Sequence, residues 1–166
     1  MPIRKRGDLA EALMQPRAFV FLWVNWAVHA RWSESVVRSV VEAWQAANPG
    51  LVTPCYVADL SDQCGEVWDA IREWLEAEER PACQLMMSGV GPLPWVRSGR
   101  VIAHEMNPNQ AGPAKLAAIT LDIFTPIPLQ DPPSGTTTKQ QAPSSPLLRR
   151  RPLNAHRNTK ASSFPR

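Results

Sequence analysis

The chain is poor in cysteine, nearly without tyrosine and free of long apolar runs. Its three cysteines are Cys55, Cys64 and Cys83, and no two stand in Cys-x-x-Cys spacing. An odd, unpaired set argues against a disulfide framework and against a four-ligand zinc site. It fits a reducing compartment, so a cytoplasmic protein is expected, with no metal and no cofactor. No apolar stretch approaches the ~20 residues that a membrane span needs. The first seventeen residues carry basic side chains without the apolar centre of a secretory signal. These features together point to a soluble protein with no membrane association.

Positive charge is also scarce where a nucleic-acid binder would need it. The chain carries a net charge of +3, yet residues 126–166 hold seven Lys/Arg against one Asp. Residues 1–125 hold eleven Lys/Arg against fourteen Asp/Glu. The basicity belongs to the C-terminal segment, and the remainder lacks the charge balance of a nucleic-acid-binding domain. Eight of the 17 prolines also lie from Pro126 onward. That composition buries too little apolar surface to offset the entropy of ordering, so 1–125 is expected to fold and 126–166 to form a disordered Pro-rich tail. Arg149, Arg150 and Arg151 could meet an acidic surface, although a solvated segment accounts for them more simply.

What is present is a clear alternation of apolar segments and breakers. Residues 8–15 read as a short helix, with Asp8 as its cap and Leu9, Leu13 and Met14 on one face. The seven residues from Ala18 to Val24 are continuously apolar, as in a strand buried on both sides. Val36, Val37, Val40, Val41 and Trp44 recur at helical spacing within 31–47, and Asn48-Pro49-Gly50 stops that helix. Residues 51–58 read as a second strand. Pro54 cannot donate a ladder hydrogen bond, so the strand either lies at an edge or starts later. Asp62 can cap a helix reaching about Glu79, with Val67, Trp68, Ile71, Trp74 and Leu75 inside. A short apolar run from Ala82 to Met87 follows, then the breaker Gly89-Val90-Gly91-Pro92. Residues 93–97 and 100–106 read as a hairpin turning through Ser98-Gly99. A last helix, with Pro113 in its first turn, presents Leu116, Ile119, Thr120, Ile123 and Phe124. The order implies an α/β fold with a right-handed parallel crossover, a mixed central sheet and flanking helices.

One junction stands out. The apolar strand ends in Asn25-Trp26, and Ala27-Val28-His29-Ala30 leads into the valine-rich helix. This stretch resembles the thioredoxin family, in which a buried strand ends in Trp-Cys-Gly-Pro-Cys at the start of a helix. The resemblance spans roughly residues 8–125. It implies a thioredoxin-like domain in which Trp26 is kept and both cysteine positions, Ala27 and Ala30, are alanine. Alanine forms no thiolate, so a redox-inactive site is implied. His29 takes the place of the motif's proline. It is either a solvent-facing residue near a helix start or a functional histidine. Pro92 is the nearest match to the family's cis-proline, with Gly91 aligning one residue earlier.

The remaining candidates are few. Cys64 falls in the first turn of a helix, where the dipole favours a thiolate. Asp59, Asp62 and Glu66 nearby disfavour one. Cys55 and Cys83 lie in apolar strand-like runs and read as small buried hydrophobes. Trp23, Trp44, Trp68 and Trp74 fit core positions, whereas Trp26, Trp32 and Trp95 fall around the former active-site edge. Gly89-Val90-Gly91 is too short for a dinucleotide fingerprint, and the glutamates from Glu73 to Glu79 suit a solvated helix face. The expected function is a thioredoxin-like protein-binding module that uses Trp26, His29 and Trp95 on that rim. The alternatives are a single-cysteine thiol oxidoreductase or peroxidase-like enzyme using Cys64, and an adaptor working through its tail.

Overall fold

A computed structural model describes residues 1–125. Strands β1 (Pro2–Ile3), β2 (Arg17–Trp23), β3 (Cys55–Asp59), β4 (Leu93–Arg97) and β5 (Arg100–Glu105) form one sheet in the order β1-β3-β2-β4-β5. The first three are parallel, and β4 and β5 run antiparallel to their neighbours. Helices α1 (Arg6–Met14), α2 (Val28–Ala47), α3 (Gly65–Ala77), α4 (Ala82–Met87) and α5 (Pro108–Phe124) complete an α/β fold. The tail and its arginine run lie outside the described residues.

The continuous apolar run is explained by the central place of β2. Ala18, Val20 and Leu22 pack into one apolar layer with Leu9, Tyr56, Ile71, Leu75 and Leu85. Phe19 and Phe21 point into the opposite layer with Val37, Val40, Trp44, Trp95, Leu116 and Phe124. Side chains alternate along a strand, so a strand covered by helices on both faces has no polar position to spare.

Several boundaries differ from the sequence reading. The second strand begins at Cys55, and it is internal, flanked by β1 and β2. Pro54 stands just outside it, where its carbonyl accepts from the Phe19 N–H at 2.9 Å. The third helix starts at Gly65 with Cys64 as its N-cap residue. Asp8 sits inside α1, where its carboxylate accepts from the N–H groups of Arg4 and Lys5. The run Ala82–Met87 is a helix: Ala82, Leu85 and Met86 are buried at i, i+3 and i+4, a helical period. Cys83 therefore faces solvent and is not a buried hydrophobe. Gly112 (φ 76°) breaks α5, and Pro113 opens its longer second part. That part ends beneath two arginines: Arg17 donates to the Phe124 carbonyl at 3.0 Å and Arg97 to that of Ile123 at 3.1 Å. Both satisfy carbonyls that a helix end leaves free.

Two carboxylates tie the hairpin down. Glu78 meets Arg100 at 2.8 Å and Glu105 meets Lys115 at 2.8 Å. Burial alone would raise both, but it is outweighed. Hydrogen bonds from Arg100 and the Val101 N–H, with the Arg80 charge, hold Glu78 below the usual carboxylate range. Lys115 and the Asn107 N–H do the same for Glu105. Groups depressed in the folded state stabilise it above their unfolded pKa and lose that contribution as pH falls through the folded value. Thermal stability should therefore be level near neutrality and decline as pH drops below the ordinary value of 4.5. Replacing both glutamates with glutamine should flatten the decline in a series of melting curves.

Candidate functional site

The site is built at the edge where the loops after β2 and β3 meet the turn before β4. The two loops are joined through Ser61, whose hydroxyl accepts from the Asn25 N–H at 2.8 Å and donates to Asp59. Arg31 braces the first loop from the helix side by donating to the Asn25 carbonyl at 2.9 Å. The helix α2 starts at Val28, so the segment resembling a redox motif forms the loop and first turn of one helix.

The turn is held against α2 by one hydroxyl. Ser33 is fully buried. It donates to the Val90 carbonyl at 2.6 Å and accepts from the Asn109 N–H at 3.3 Å. One side chain thus links α2, the 88–92 turn and the start of α5. Two glycines let the turn approach. A Cβ on Gly91 (φ +69°) would lie 2.8 Å from the Phe21 ring and 3.2 Å from Ser33. A Cβ on Gly89 (φ +66°) would lie 2.9 Å from the Trp26 ring. The indole of Trp26 therefore lies against bare backbone at Gly89. The Pro92 carbonyl accepts from the Leu22 N–H at 3.0 Å, which locks the turn to β2.

The outer surface of this edge is apolar. Trp26, Val28 and Trp32 are each about half exposed, at 50%, 49% and 51%. The His29 and Trp32 rings meet edge to face at 5.1 Å. Met87 ends α4 two residues before Gly89 and is equally exposed. Ala27 is partly buried and Ala30 fully so, and neither carries a polar atom in its side chain.

Other sequence candidates fall elsewhere. Trp95 does not belong to the rim. It is fully buried, with its indole N–H donating to Thr120 at 2.9 Å beneath α5. Strand alternation sends its side chain to the same layer as Phe19, its partner across the ladder. The bond before Pro92 is trans, and no peptide among the described residues is cis. Cys64 is exposed at the α3 N-cap, near the same edge, and no hydrogen bond joins it to His29. Glu66 is turned away to accept from the Arg6 N–H at 2.8 Å. Cys55 is partly buried, and desolvation pushes its thiol up to about 11. Among the described residues no three His, Cys, Asp or Glu side chains gather as a metal site.

Sequence reasoning missed Ser33, Gly89 and Asn109. The signal for Ser33 was a polar residue on the face shared by Val37, Val40, Val41 and Trp44. The signal for the glycines was their alternation, which marks close backbone approach.

Cavities among the described residues lie away from the rim, including one of about 670 Å³ along β1 and α1, between Met1, Lys5, Glu11 and Tyr56. Another of about 390 Å³ sits between α2 and β3, floored by Phe21 and Val57. An apolar groove of about 230 Å³ runs between α2 and α5, along Ala43, Ala47, Ala117 and Leu121. None of these reaches Trp26. The half-exposed Trp26, Val28 and Trp32 thus lie outside these cavities. No known protein family and no curated protein matches the chain.

Two experiments probe this geometry. Gly91→Ala should cost about 2–3 kcal/mol in denaturant unfolding, because it adds a clash to a left-handed backbone. Gly65→Ala, also at positive φ but in open space, should cost only about 1 kcal/mol. Ser33→Ala should cost about 1–3 kcal/mol by leaving the Val90 carbonyl unpartnered. In native thiol titration at neutral pH, Cys64 and Cys83 should react promptly and Cys55 only on unfolding.

Proposed function

We propose that the chain is a thioredoxin-like module without dithiol chemistry, and that it binds another polypeptide through the rim around Trp26. The observation that carries this reading is the half-exposed Trp26, Val28 and Trp32 on a rigidly braced edge. Water-exposed aromatic surface is unfavourable for a free domain, and grouped apolar side chains of this kind mark interaction sites. Large aromatic anchors supply ~2 kcal/mol or more at a binding hot spot.

The thioredoxin resemblance finds support in the sheet order and in the two loops that converge at one edge. It places Ala27 and Ala30 where a thiol pair would attack a disulfide. His29 stands beside Trp32 as part of the surface, with no thiolate to stabilise. An enzyme built on Cys64 would need a base or cation next to the sulfur. Among the described residues none is hydrogen-bonded to it. Three unpaired cysteines favour a reducing cytoplasm. No helix among the described residues is long and apolar enough to cross a membrane.

The test has two arms. Insulin-disulfide reduction with a dithiol donor should stay at the donor-only background. Affinity capture with wild type, Trp26→Ala and Trp32→Ala, each checked for an unchanged melting temperature, should lose specific partners in both variants. Identical partner sets from all three would return these tryptophans to packing alone.

A further inference from the structure

The outer edge of the sheet shows a device unrelated to the rim. β5 is an edge strand, and such strands offer unpaired N–H and C=O groups to any other strand. In the two-residue hairpin through Ser98-Gly99, Arg97 and Arg100 form the closing pair. The next residue, Val101, pairs with Val96 and directs both of its backbone groups away from β4.

Both groups are occupied by side chains from the segment after α3. The Val101 N–H donates to Glu78 Oε2 at 3.0 Å. The Val101 carbonyl accepts from Arg80 Nη2 at 2.6 Å. One carboxylate and one guanidinium, two residues apart, thus stand where a neighbouring strand would place its own acceptor and donor. The clamp is itself anchored. Arg100 holds Glu78 from the strand side at 2.8 Å, and the Arg80 N–H donates to the Leu75 carbonyl at 2.8 Å. A bulge between Trp95 and Val96 then leaves Ile102 as the extra residue, 40% exposed beside the clamped position.

We propose that β5 is a self-pairing strand kept closed by the Glu78–Arg80 clamp, and that its occupant when the clamp is released is the β5 edge of a second copy of this chain. Antiparallel pairing of one edge with itself about a two-fold axis is self-complementary, so each copy satisfies the other's Val101 groups. The exposed Ile102 adds apolar area to the pairing edge, where the nearest strand charge, Arg100, lies one residue before Val101.

The test compares wild type with a Glu78→Ala/Arg80→Ala variant of the full chain at equal concentration. Light scattering should give a monomer mass for wild type. For the variant it should give a mass rising toward twice that value with concentration, with amides 101–104 slowing in hydrogen exchange as it rises. Adding Ile102→Lys to the same variant should return it to monomer, which general unfolding would not do. Should the double replacement lose its fold, Glu78→Ala alone carries the same expectation, since it frees the Val101 N–H. A folded variant that stays monomeric, association that Ile102→Lys leaves unchanged, or a wild type already paired through 101–104 would each overturn the proposal.

Discussion

The buried Ser33 hydroxyl is the constraint on which the candidate site depends. It bonds to the Val90 carbonyl and the Asn109 N–H together. Losing a hydrogen bond to a half-buried carbonyl is costly, and the turn before β4 cannot leave α2 without losing that bond. Gly91 makes the approach possible, because the space a Cβ would need is taken by Phe21 and Ser33 itself. The geometry then propagates outward. With the turn fixed, Gly89 lies under the Trp26 indole, and Trp26 gains a rigid backing without being covered.

The second consequence concerns chemistry. A helix start can lower a thiol's pKa and present a nucleophile. Here the start of α2 offers alanine, valine and a histidine packed on tryptophan. Elsewhere the Cys55 thiol is shifted up by burial, away from reactivity. Cys64 and Cys83 are exposed, yet neither is hydrogen-bonded to a base or a cation among the described residues. What this edge does present is a braced loop with half-exposed aromatic side chains.

Much of the fold was legible because periodicity carries it. The double-sided burial of β2, the valine face of α2 and the hairpin at Ser98-Gly99 all follow from spacing and turn chemistry. Less legible were features set by tertiary context. The two-residue β1 is too short for any pattern and exists because it pairs with β3. The helix α4 showed its i, i+3, i+4 spacing only over six residues, where helix and strand patterns overlap. The half-exposed position of Trp26 follows from its place in the loop after a buried strand. Trp95 was misplaced because the parity of a strand decides which face its side chain takes, and the turn before β4 did not reveal that parity. Ser33 lies on the apolar face of α2, but its partners, the Val90 carbonyl and the Asn109 N–H, come from distant segments that helical spacing does not reveal.

The central claim is that a polypeptide partner is held on the edge braced by Ser33. Hydrogen exchange of the full chain, alone and bound to a captured partner, tests it most directly. The account predicts added protection in residues 25–33 and 88–92, with the α2–α5 groove at 43–48 and 117–121 unchanged. Protection confined to that groove, with the rim exchanging as in the free chain, would contradict it.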